Sequence, residues 1–478
     1  MADKSESFDY EPLTRPQRST GIVVDEVDNG FGNQSGWGSD QAIRRRPFAE
    51  APTTEQPLNV SAPNPTQVSP AEIPDSTASI LKAGHALSFA GVFLFSLMLY
   101  LRPYEWSTSL SWLSSTAFWI AVATTAIFIP TQLGLEGNLT ARPREVVFVL
   151  LLLVFAVLSI PTSLSPSAGL YALSDYAKVI LIFVVMVNVV RTEARLKALL
   201  FLTFIASAIV SIYALNDYLS GNLTLQGTRI TGSIGGIFSN PNDLALHLVT
   251  MIPLAFALFL GTSNVFKKLF YGAAAIIFIV GIVATFSRGG VLGLAAACFV
   301  LVLKYFRKMR LLVGIAVMVF GLGLLAVAPG DFRQRIFTTG DASAVSRTDD
   351  LKRSIFLAVR HPVFGIGLGN YVFYSNQAKA THNAYTQVAS EMGLIAAAFY
   401  ILFLVSPFKP LLRIERETRG DKKKKSVYYL SLGLQASLIG YMVSSFFASV
   451  PYLWYAYYLV AYAIALRRIY DSGKAKAA

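Results

Sequence analysis

Apolar runs long enough to cross a bilayer recur along this chain from residue 85 onward, and no other feature narrows its folding options as sharply. A helix needs about 20 apolar residues to span the hydrocarbon. About twelve segments approach that length, near 85–101, 111–130, 146–161, 176–190, 198–219, 243–260, 269–286, 289–304, 311–328, 383–405, 427–447 and 450–466. Inside lipid every backbone N–H and C=O must find a partner within the protein, and continuous runs of this length find them only as helices. The expected fold is therefore an all-α membrane protein of about 12 transmembrane helices over residues 81–478. Hydrophobic residues make up 54% of the chain and charged residues 14%, so no soluble-domain reading competes.

Charge gives the orientation. The net +13 hides a tail, residues 1–80, in which 12 Asp and Glu face 6 Lys and Arg, so the remainder carries +19. That tail holds 9 of the 21 prolines and no sustained apolar period, and it is expected to be disordered. Alternate inter-span segments carry 23 basic residues, among them Arg142, Arg191, Lys267, Lys304, Lys422–Lys425 and Arg467. The short segments on the other side carry four: Arg102, Lys178, Arg229 and Arg288. Basic loops stay in the cytoplasm, so both termini are expected there. Nucleic acid is a poor explanation for the basicity. Membrane lipids and an anionic lipid-linked substrate explain it better.

The four outer cations run against the insertion bias, which makes them candidates for function. Arg229 lies in T-R-I-T-G-S-I-G-G-I-F-S-N-P-N-D, and Arg288 in F-S-R-G-G, where Gly289 and Gly290 would let the backbone approach a ligand. A guanidinium fork matches phosphate oxygens, so converging arginines suit a diphosphate and could stabilise it as a leaving group. Lys178 is a further candidate for that site.

Residues 329–382 form the long polar interruption of the second half, an expected outer catalytic loop. Ser346 to Val359 can form an amphipathic helix capped by the serine, ended by Pro362. Gly365, Gly367 and Gly369 then make a turn whose amides could cradle phosphate. His382 stands where this loop enters the next span, placed to take a proton from an acceptor hydroxyl. Asn383, Gln387 and Glu391 follow at four-residue spacing, a supporting polar stripe expected to descend into that span. The single cysteine, Cys298, excludes an internal disulfide and a cysteine metal cluster.

The combination of R-I-T-G, F-S-N-P-N-D-L-A, F-S-R-G-G, S-R-T-D, H-P-V-F-G-I-G-L-G-N-Y and H-N with Gly393 beyond it resembles the bacterial O-antigen ligase and O-antigen polymerase superfamily. Ala396 departs from the Gly, Thr or Tyr usual at that place in ligases. The resemblance implies a GT-C-type glycosyltransferase of the bacterial cytoplasmic membrane, without metal or other cofactor. It would move a glycan from undecaprenyl diphosphate to a hydroxyl of a glycan, lipid or protein acceptor on the outer face. Carried over by position, Arg229, Arg288 and Arg347 would hold the diphosphate and His382 would be the base. The tail could dock glycan-assembly proteins. The alternative is a transporter or flippase of lipid-linked sugars, against which stands the clustering of the candidates at one face rather than at the midplane of repeated halves.

Overall fold

The computed structural model describes residues 75–105, 108–222, 238–305, 315, 342–375 and 379–475. Most of the tail, Arg229 and the expected span near 311–328 lie outside the described residues. The described chain is helical throughout: α1 (Asp75–Leu101), α2 (Thr116–Glu136), α3 (Arg144–Leu158), α4 (Pro166–Val189), α5 (Glu193–Leu219), α6 (Pro241–Gly261), α7 (Val265–Ala284), α8 (Arg288–Tyr305), α9 (Ala342–Arg360), α10 (Tyr371–Tyr374), α11 (Ala384–Met392), α12 (Leu394–Val405), α13 (Phe408–Thr418), α14 (Lys425–Ser444) and α15 (Trp454–Ala475).

Ten helical segments among the described residues are long and apolar enough to cross a membrane. Helices α1 to α8 supply one each, α12 continues into α13 as the ninth, and α14 is the tenth. The chain is a multi-pass membrane protein. Helix α15, where the span near 450–466 is expected, is also long, but it ends in Arg467, Arg468, Asp471 and Lys474. Its flanks are covered by neighbours, with Tyr455, Tyr457, Tyr458 and Tyr462 all buried. A phenol hydroxyl needs a partner away from water. Tyr457 bonds Tyr176 at 2.8 Å, Tyr458 bonds Ser96 at 2.8 Å and Tyr462 bonds Thr203 at 3.3 Å, so α15 is tied to α4, α1 and α5.

Without a hydrophobic drive between helices in lipid, close packing relies on small residues. Helix α14 packs on α6 and α8, and at its crossing with α8 a Cβ on Gly293 would lie 2.9 Å from the Gly440 carbonyl oxygen.

The bundle has two chemically different ends. One gathers the basic residues, and acids on neighbouring helices answer them: Arg191 with Glu136 at 2.5 Å, Lys304 with Glu415 at 2.6 Å, and Arg467 with Glu145 at 3.3 Å. The other collects the α3–α4 turn, the α7–α8 turn, the α14–α15 connection and the segment from α9 to α11. Their contacts build the site.

Candidate functional site

The F-S-N-P-N-D and F-S-R-G-G motifs meet at the α6–α8 corner. Asn240 caps α6 through the Asn242 amide at 2.9 Å, and the buried Asn242 accepts a hydrogen bond from Ser287 at 3.1 Å. Ser287 in turn accepts from the Gly290 amide at 3.1 Å, capping α8. Arg288 is therefore the first residue of α8, half-buried, and its direction is fixed by a capped helix start. Gly289 and Gly290 have a packing role in the fold. A Cβ on either would sit 2.7 Å from Phe447 or Ala245, so small residues are required by neighbouring helices.

The segment after α14 bridges this corner to His382. Ser444 donates to the Gly289 carbonyl at 3.2 Å, and Ser445 donates to the Tyr385 hydroxyl at 3.3 Å. Ser449 accepts the His382 amide at 2.7 Å. His382 has φ 53°, a left-handed conformation that a residue with a Cβ adopts only when its surroundings hold it. Phe286, two residues before Arg288, has φ 54°. Both motifs thus carry backbone strain of the kind that concentrates at functional sites. The cap of α11 is Asn383, whose side chain accepts the Tyr385 and Thr386 amides at 3.0 Å.

The polar stripe lies elsewhere than the sequence suggested. The expected span over 383–405 is broken at Gly393, with φ 91° and ψ 169°, into α11 and α12. Asn383, Gln387 and Glu391 therefore line a short helix before the membrane span. Glu391 is buried, and burial pushes its carboxyl up to about 7 against hydrogen bonds from Tyr452, the Gly369 and Tyr371 amides, and Gln387. A half-buried Gln387 lies between it and Asn383, one turn from each.

The glycine turn is likewise structural. Its amides are taken by protein acceptors: Ile366 by the Ser390 carbonyl at 2.8 Å, Gly367 by Glu391 at 3.0 Å, and Leu368 by Ser159 at 3.1 Å. Asn370 accepts the Ser165 amide at 2.8 Å. The turn clips α11 to the α3–α4 turn and leaves no cradle for phosphate. Helix α9 begins at Ala342, so Ser346 lies inside it rather than capping it. Its buried face holds Asp350, Ser354, Leu357 and Ala358 and packs on α11. Ile355, Phe356 and Val359, apolar residues of this amphipathic helix, are exposed.

Arg288, Arg347 and His382 thus sit on elements that meet at one end of the bundle, Arg347 half-buried on α9. Lys178 lies well inside α4, exposed and paired with Asp175 at 2.9 Å, and among the described residues nothing joins it to the others. Arg229 lies outside the described residues. Sequence reasoning missed Ser287, Asn242 and Ser449. The first two stood in quoted motifs, but Ser449 is 67 residues from its partner and carries no local signal.

The comparisons with known proteins bear on this end of the bundle. Residues 273–401 match the family described as O-Antigen ligase. The match spans about a quarter of the chain and supports the resemblance of this segment to the O-antigen ligase and polymerase superfamily. The ligase-family segment contains Arg288, Arg347, His382, Asn383, Gln387 and Glu391, while Lys178 and Arg229 fall before it. No curated protein matches the chain.

Proposed function

We propose that this protein is a glycosyltransferase of the bacterial cytoplasmic membrane, which transfers or polymerises an undecaprenyl-diphosphate-linked glycan onto an acceptor hydroxyl at the outer face. The single observation that carries the reading is the His382 backbone, held left-handed by Ser449 beside the Arg288 corner and within the ligase-family segment. With the basic end in the cytoplasm, this end faces outward.

In the proposed reaction His382 accepts the proton of the acceptor hydroxyl. The oxygen attacks the anomeric carbon, the bond from that carbon to the diphosphate oxygen breaks, and the leaving diphosphate keeps the electron pair. Arg288 and Arg347, with Arg229, stabilise its charge. The expected architecture is GT-C-like, and the chemistry asks for no cofactor.

The test is mass analysis of polyprenyl-linked glycans in cells lacking the protein, complemented with wild type or His382→Ala. A missing general base lowers transfer by roughly 10²–10⁴-fold. Accumulated long chains would identify a ligase and accumulated single repeats a polymerase. Normal carrier profiles with His382→Ala at normal protein level would refute the role of His382.

A further inference from the structure

A second feature stands apart from the His382 site. Helix α9, α10 and the turn between them line a cleft of about 760 Å³. Lys352, Arg353, Arg360 and His361 form its walls, with the rings of Phe356 and Tyr374, against the single acid Asp349. Arg353 is held in place by donating to the Tyr374 carbonyl at 2.6 Å. Arg360 lies over the Phe356 ring at 6.0 Å, and neither Lys352 nor Arg360 has an ion-pair partner among the described residues. Phe356 is 59% exposed.

Helix α9 divides into three stripes. Asp350, Ser354 and Leu357 face α11, and Ile355 and Val359 form an exposed apolar stripe. Arg353 and Arg360, two turns apart, share the stripe between them, about 100° or more from Ile355 and Val359 at about 100° per residue, and Phe356 and Lys352 lie between that stripe and the apolar one. The apolar stripe suits the membrane surface. The cleft is a different environment, because a lipid headgroup needs only a point charge, whereas this cavity offers ring faces as well as cations. Aromatic faces pack on the apolar faces of pyranose rings, and guanidinium forks bind carboxylate or phosphate in a bidentate way.

We propose that this cleft binds an anionic saccharide, a glycan bearing uronate or phosphate groups, with Arg360 and Lys352 recognising the anion and Phe356 the sugar ring. The proposal rests on the glycan-transfer reading for the presence of a glycan there. It adds a binding site outside the residues assigned to diphosphate and proton transfer.

The test uses the full chain in nanodiscs of neutral lipid, titrated with a short oligogalacturonate and with a neutral malto-oligosaccharide of equal length. The acidic probe binds at least about tenfold more tightly and weakens as salt is raised. The Lys352→Gln/Arg360→Gln double variant loses about tenfold for the acidic probe, Phe356→Ala weakens it, and His382→Ala leaves it unchanged. Equal binding of the two probes, or wild-type affinity in the double variant, overturns the proposal. So does a double variant that keeps the acidic probe and loses only its association with vesicles containing anionic lipid. These outcomes leave the carrier-glycan test of His382 untouched, so the two readings fail separately.

Discussion

Replacing Gly393 by alanine probes the joint on which the site is built. At φ 91° and ψ 169° the residue occupies a region essentially reserved for glycine, which costs an alanine of order 1–3 kcal/mol. The added Cβ would lie 2.2 Å from the Val363 carbonyl oxygen, 2.5 Å from its carbon and 2.8 Å from the Pro362 oxygen. These are backbone atoms and cannot rotate away. Relief means parting the glycine turn from α11 and breaking the 2.8 Å bond from the Leu394 amide to Pro362, another roughly 1–3 kcal/mol. The sum is about 2–6 kcal/mol. Gly137 is the control: its φ is 63°, but a Cβ there meets nothing within 4 Å, so Gly137→Ala carries backbone strain alone, about 1–2 kcal/mol. Heating detergent-solubilised variants and measuring the fraction that remains monodisperse by size exclusion compares the two. Gly393→Ala should inactivate at distinctly lower temperature and lose glycan transfer even where it survives. Equal shifts for the two variants would mean that the close approach of Val363 contributes nothing, and the account of the joint would be wrong.

Glu391→Gln tests burial of the carboxyl: the folded group titrates near 7, against 4.5 for the free side chain, so folding takes up a proton between those values. Its contribution, up to roughly 3 kcal/mol, is complete below pH 4.5 and lost as pH rises through 7; the variant should flatten that dependence in unfolding midpoints taken across the range. Arg288→Lys keeps the charge and loses the fork, and should lower transfer by roughly 10²-fold in the carrier assay at unchanged protein level; full activity would exclude bidentate recognition. Ser449→Ala removes the acceptor of the His382 amide, worth about 1 kcal/mol, and should cut transfer several-fold with recovery in Ser449→Thr. A Thr variant no better than Ala would detach Ser449 from positioning.

What the sequence made legible is what depends on local pattern. Apolar length marked the spans and Lys and Arg marked one end, because both are read by lipid during insertion. The Pro362 end of α9 and the placement of His382 just ahead of a helix were equally local. The broken span was not, since hydropathy over 383–405 is blind to the backbone angle at Gly393. The glycine turn looked like a phosphate cradle because its amide acceptors, Ser390, Glu391 and Ser159, are remote in sequence from the amides they satisfy. The packing role of Gly289 and Gly290 was hidden for the same reason: Phe447 and Ala245, which require small residues there, are remote in sequence.

The ion pairs at the basic end act at two moments in the life of the chain. On the proposed orientation, Arg191, Lys304 and Arg467 are unpaired during insertion and hold their segments back from translocation. Once the helices assemble, the same cations meet Glu136, Glu415 and Glu145 and become staples between helices distant in sequence. The acids have only the second task. Loss of Glu415 therefore loosens a correctly threaded bundle, whereas loss of Lys304 removes a topological signal and a staple together.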